Sequence, residues 1–158
     1  MEIIKIPAMD KAEYDKLIEE GYLSRIAFRG DKYPYIAPFL YVFDGKFLYF
    51  LATKYGRKND LFRQYPYVSV EVEKYSRDLS TYTFVTMQGY LVQLEDAIEK
   101  KIIREKFVNM IKEKNLSTNI LAALGHRPDE PVESIAFEER SNIWKLTGVI
   151  DIVALKSL

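Results

Sequence analysis

From Tyr22 to Leu94 the chain runs through short strand-like segments, each closed by a turn signal, and this spacing suits a curled sheet better than any helical architecture. Tyr22 to Arg29 stops at Gly30-Asp31, and Tyr35 to Phe43 stops at Asp44-Gly45, a pair suited to a tight hairpin. Phe47 to Leu51 is apolar on both faces, which predicts a central strand in a closed or covered sheet. Val68, Val70 and Val72 alternate with Ser69, Glu71 and Glu73, so one face of that strand is wet. Thr81 to Leu94 reads as a long strand bent or bulged at Gly89, and Asn142 to Leu155 as a final strand pair around Gly148.

Helices are few. Asp10 and Glu13 are spaced as a capping box and Met9 and Tyr14 as a hydrophobic staple, with Tyr14, Leu17 and Ile18 forming the apolar stripe and Gly21 placed for a left-handed cap. Asp96 and Glu99 repeat the capping pattern ahead of a helix reaching about Lys114. Its apolar residues (Ile98, Ile102, Ile103, Phe107, Met110, Ile111) spread beyond one narrow stripe, as contact with both a barrel and a partner would require, or as a loosely patterned surface helix would show. Ser117 to Gly125 predicts a short helix capped at both ends, followed by an irregular loop, His126 to Pro131. The expected fold is a small β-barrel with peripheral helices, in the α+β class. Without repeat, linker or low-complexity tract, residues 1–158 read as a single domain.

Charge and composition exclude several functions. The 23 basic and 23 acidic residues balance, so no net field favours nucleic acid or an anionic membrane. Most of the 12 tyrosines and 9 phenylalanines lie in strand-like segments, where they serve packing rather than base stacking. There is no cysteine, hence no disulfide, thiolate metal site or cysteine nucleophile, and His126 is the only histidine, which argues against a His-rich metal site and most His-based relays, so no metal ligand is expected. His126 is expected at the surface of its Pro-rich loop, Trp144 in the core, and no nucleophile elbow supports a Ser-His-Asp hydrolase. The N-terminus lacks the apolar core of a signal peptide and no run approaches a membrane span, so the expectation is a soluble cytoplasmic protein.

The segment with most chemistry is Phe50-Leu51-Ala52-Thr53-Lys54-Tyr55-Gly56-Arg57-Lys58. An apolar strand enters a short basic turn, and the turn opens a helix whose apolar residues are Leu61, Phe62 and Tyr65 and which Pro66 stops. A helix start offers unpaired N–H groups and the positive end of its dipole; Thr53, Lys54, Arg57 and Lys58 add a hydroxyl and three cations. That combination suits a phosphate dianion, although a merely solvated basic turn would have the same residues.

Three ordered motifs make the chain resemble the FMN-binding split-barrel proteins, the superfamily of pyridoxamine 5′-phosphate oxidase, and among them the branch that includes the nitroimidazole-resistance proteins. They are Tyr33 to Gly45, the basic turn continued through Leu61 to Val68, and Val85 to Val92 followed by Glu95-Asp96 and Glu99-Lys100. The order agrees over roughly residues 10 to 115, and Ile143 to Leu146 fits the closing strand. The resemblance implies a split barrel of about six mainly antiparallel strands, FMN as cofactor, and a homodimer with the flavin at its interface. It further implies that Arg57 and Lys58 bind the FMN phosphate beside Lys54, that Leu51, Ala52 and Thr53 line the approach, and that Ala37-Pro38-Phe39 runs along the flavin ring. Pro38 lacks an N–H, so it marks an edge or a bulge in any case.

The implied activity is that of a reductase or oxidase of a small organic molecule, with NAD(P)H as a candidate electron donor; no catalytic residue is named. Ala37 and Phe84 stand where the pyridoxamine phosphate oxidases proper carry Arg and Gln, and their C-terminal Arg/His segment is not recognisable, which argues against that particular substrate. A deazaflavin-dependent reductase, a non-catalytic flavin-binding or sensing protein, and a cofactor-free barrel are the alternatives.

Overall fold

A computed structural model describes residues 1–158. Six strands, β1 (Leu23–Phe28), β2 (Tyr35–Phe43), β3 (Leu48–Thr53), β4 (Tyr67–Tyr75), β5 (Tyr82–Gln93) and β6 (Ser141–Lys156), close into a barrel. Their order around it is β1-β2-β3-β6-β5-β4 and every pairing is antiparallel. Alternation fills the interior: Ile26, Phe28, Phe39, Phe50, Val70, Val85, Trp144 and Leu146 form one buried cluster. A second cluster lies outside the wall, where Tyr49, Leu51 and Ile143 meet Ile103, Phe107 and Ile111 of helix α3 (Ala97–Glu113) and Leu121 and Leu124 of a 3₁₀ helix, Thr118–Leu124. β3 is thus buried along its whole length, which is why its sequence is apolar on both faces.

Local signals decide most boundaries. Helix α1 (Lys11–Glu20) carries the full reciprocal capping box between Asp10 and Glu13. At α3 only half of the box forms, with the Asp96 side chain accepting from the Glu99 N–H. The 3₁₀ helix is capped by the Ser117 side chain and by Gly125 at φ 88°. Gly89 marks the register shift in the β5–β6 pairing, where a Cβ would come within 2.6 Å of the Thr147 carbonyl oxygen.

Three expectations need correcting. Gly21 is extended, at φ −87° and ψ 175°, rather than left-handed. It is small because the Tyr41 hydroxyl, donating to the Ile18 carbonyl at 2.7 Å, occupies the space a Cβ would take. The C-terminal strand pair is one sixteen-residue strand, β6; Gly148 adopts φ 57° within it without reversing the chain. His126 is buried at 3 % exposure, because the loop folds its imidazole beneath Glu130 and Arg140. The sequence patterns also passed over a single turn of helix, α4 (Ser134–Phe137). No helix is long and apolar enough to cross a membrane.

Candidate functional site

The barrel wall opens between β2 and β3. These strands pair only over Tyr41–Phe43 and Leu48–Phe50. Beyond that, Tyr35 to Leu40 pairs with β1 alone, while Leu51 to Thr53 pairs with Ser141 to Ile143 of β6. Pro38 therefore lies in the half of β2 that has a neighbour on one side only, where its missing N–H is tolerated.

The basic turn sits at this opening. Helix α2 (Arg57–Gln64) begins at Gly56, whose φ of 99° is a conformation that L side chains rarely adopt. No side chain caps α2; the Asn59 N–H donates to the Gly56 carbonyl at 3.2 Å, and the N–H groups of Arg57 and Lys58 stay available. Leu61 and Phe62 pack on the barrel core, and Phe62 stacks on buried Trp144 at 4.6 Å between ring centroids, fixing the helix over the opening. Trp144 is a core residue, as its strand pattern predicts.

Asn59 holds the turn closed from inside. It is buried, and its side-chain amide donates to the Thr53 carbonyl and, at 3.0 Å, to the Tyr55 carbonyl. The Thr53 hydroxyl donates to the same Tyr55 oxygen at 3.0 Å. Thr53 is thus committed to the turn's own structure. Asn59 was missed in sequence as a functional residue; a buried-side amide in the first turn of a helix is its only signal.

Arg57 and Lys58 are left without counter-charges, and Lys54 acts on the Glu139 carboxylate only from beyond ion-pair distance. Arg57 lies over the Tyr35 ring at 5.3 Å and Lys58 over the Phe39 ring at 5.0 Å, so both side chains lean across the gap onto β2. Neither they nor Lys54 forms any of the protein's ion pairs. Burial pushes the Lys58 ammonium below the ordinary lysine range, with no carboxylate opposing the shift. An anion here regains that desolvation cost.

The other expected site residues differ in reach. Arg57 and Lys54 are exposed and Lys58 is half-buried. Pro38 faces outward, whereas Ala37, Phe39 and Ala52 point into the barrel core and Leu51 into the outer cluster. A ligand at the opening can meet those four only through backbone. A groove of about 490 Å³ lies on the outer wall of β1, β4 and β5, lined among others by Pro34, Tyr67, Gln88, Tyr90 and Ile150. Beside it, Gly148 to Val153 of β6 is exposed throughout, including Val149, Ile150, Ile152 and Val153.

An antiparallel six-stranded barrel, parted between two strands with a cationic helix start over the gap, is a split barrel. Residues 10–141 match the family described as pyridoxamine 5′-phosphate oxidase, and the chain belongs to that family. Solved structures agree at the level of fold. An FAD-binding protein from Mesorhizobium loti superposes with a TM-score of 0.71 at 18 % identity, over 98 % of this chain and all of that one. The haem storage protein HutZ of Vibrio cholerae gives 0.64 at 12 % identity, covering 92 % of this chain and 94 % of its own. A protein assigned to 5-nitroimidazole antibiotic resistance from Bacteroides thetaiotaomicron gives 0.60 at 14 % identity, covering 98 % and 91 %. No curated protein sequence matches the chain.

Proposed function

We propose that this chain is an FMN-binding flavoprotein that works as a homodimeric oxidoreductase on a small organic molecule, with NAD(P)H as a candidate donor. The observation that carries the reading is Lys58, a half-buried ammonium at an uncapped helix start, with no carboxylate in ion-pair reach. Arg57 and Lys58 would hold the phosphate with the first N–H groups of α2, and Lys54 would add charge from the rim. Thr53 and Asn59 keep the turn in shape. Pro38 and the facing open edges of β2 and of Leu51 to Thr53 would lie along the ring, the side chains of Ala37 and Phe39 backing that wall from inside. The flavin would supply the electron chemistry.

Family membership and the name of the Mesorhizobium loti structure both support a flavin. FMN is preferred to FAD because a terminal phosphate dianion suits three unpaired cations at one point better than a diester does. The dimer is supported by the exposed apolar stretch of β6, by Tyr67 and Tyr90 across the groove, and by Ile98 and Ile102, exposed on α3. A permanent interface of this kind would bury about 2,000 Å² or more in total.

Purified protein supplied with FMN should bind one flavin per chain, quench its fluorescence and melt at a higher temperature. Light scattering at micromolar concentration should give twice the chain mass. Saturating FMN that changes neither fluorescence nor the melting midpoint would refute the flavin reading; a monomer that still binds one FMN would refute only the interface.

A further inference from the structure

On the loop that leads into β6, His126, Glu130 and Glu138 converge. One ligand atom from each lies within 4.8 Å of the other two. The imidazole has no side-chain exposure, neither ring nitrogen has a hydrogen-bond partner, and Nδ1 stands 3.8 Å from Glu130 Oε2. That separation is too long for a hydrogen bond. It is near the spacing of two atoms sharing one metal ion, roughly 3.3–3.5 Å for tetrahedral bonds of about 2.0–2.2 Å.

Unpaired buried nitrogens are costly, and the charged groups that face these are the carboxylates of Glu130 and Glu138 and the guanidiniums of Arg140 and Arg104. Arg104 is held by Ile135 and Ser141, so the cation bonded to the two carboxylates is Arg140. Its guanidinium donates to both Glu130 oxygens, at 2.8 and 3.0 Å, to Glu138 at 2.7 Å and to the Gly125 carbonyl at 3.3 Å. The Arg127 backbone N–H also donates to Glu130. Arg140 is a partial substitute, since a guanidinium has only donors and leaves the lone pair of a neutral imidazole unanswered as long as it sits on the carboxylates. A cation that accepts lone pairs from both ligand types answers all three groups at once.

We propose that His126, Glu130 and Glu138 form a binding site for a borderline divalent transition-metal ion of the zinc type, with Arg140 as its resident competitor. One imidazole and two carboxylates suit such an ion, and the absence of thiolate disfavours soft monovalent copper. Binding displaces the guanidinium and transfers the carboxylates to the ion. The site is independent of the flavin reading. It would tie the end of the 3₁₀ helix to the start of β6, clamping a loop otherwise held by ion pairs. The sequence conceals it because its ligands span thirteen positions with irregular spacing and include one histidine.

The single histidine makes the test direct. Tag-free, ¹⁵N-labelled protein is stripped with a chelator, and Zn²⁺ is titrated while the imidazole nitrogen resonances are followed by NMR. The expected result is a shift of the His126 signals that saturates at one ion per chain. Glu130→Gln or Glu138→Gln should weaken binding about tenfold or more, and Arg140→Gln should tighten it by a similar factor. Imidazole signals unmoved by excess Zn²⁺, including the case of zinc bound elsewhere on the surface, would overturn the proposal. So would a shift of equal affinity in both glutamate variants. The wild-type titration needs no variant, so a poorly folding substitution leaves the test intact.

Discussion

Two charged turns meet at one strand pair, where Thr53 at the end of β3 faces Ser141 at the start of β6. The first, Thr53 to Asn59, carries three cations that form no ion pair and is braced by neutral hydrogen bonds from Asn59 and Thr53. The second, Gly125 to Arg140, is laced by ion pairs of Arg140 with Glu130 and Glu138. The contrast separates charge that is paired within its own loop from charge that has no ion-pair partner. Surface ion pairs contribute little stability individually, so the second turn gains mainly shape from its network. In the first turn the shape comes from elsewhere and the cations remain free.

The largest effect should come from removing that free charge. Arg57→Ala and Lys58→Ala should each weaken FMN binding about 10- to 100-fold, from charge-assisted hydrogen bonds worth roughly 1.5–3 kcal/mol, and the pair together by more than about 100-fold. Fluorescence titration measures this. Variants that bind FMN as the wild type does would place the phosphate elsewhere.

Asn59→Ala should come next. It leaves the Thr53 and Tyr55 carbonyls without the amide and should cost about 1–3 kcal/mol of stability, visible in urea unfolding. FMN affinity should fall with it, because the turn loses its brace. An unchanged unfolding midpoint would show that the turn does not depend on this side chain.

A smaller effect is expected from pH. The Lys58 pKa lies below 10.5 in the free protein because of burial, and a bound dianion would raise it. FMN binding therefore takes up a proton once pH approaches the depressed value, and affinity should fall on the way to 10.5 in the wild type but not in Lys58→Ala. For the unliganded fold the sign is opposite: the unfolded chain holds the proton more tightly, so this residue's contribution improves as pH rises through the same window. The smallest effect belongs to Lys54→Ala, about threefold or less in affinity, since Lys54 is exposed at the rim.

The sequence made the barrel legible because its signals are local. The Asp10–Glu13 box, the Val68 to Val72 alternation and the Gly89 bulge each depend on neighbours a few residues away, and each appears in the structure. The basic turn was legible for the same reason. What escaped depends on distant partners. Gly21 is explained by Tyr41, the continuity of β6 by its pairing with β5, and the burial of His126 by Arg140 fourteen residues later. Asn59 could be read as a helix residue, but its hydrogen bonds follow from the turn folding back over it.

Whether the turn from Thr53 to Lys58 holds a phosphate is decided by comparing FMN with riboflavin. The two share the ring and the ribityl chain, and only FMN carries the dianion. Titrated into wild-type protein, FMN should bind at one per chain and riboflavin about 100-fold more weakly or worse, with the gap closing in Arg57→Ala/Lys58→Ala. Equal affinity of the wild type for the two ligands would contradict the account.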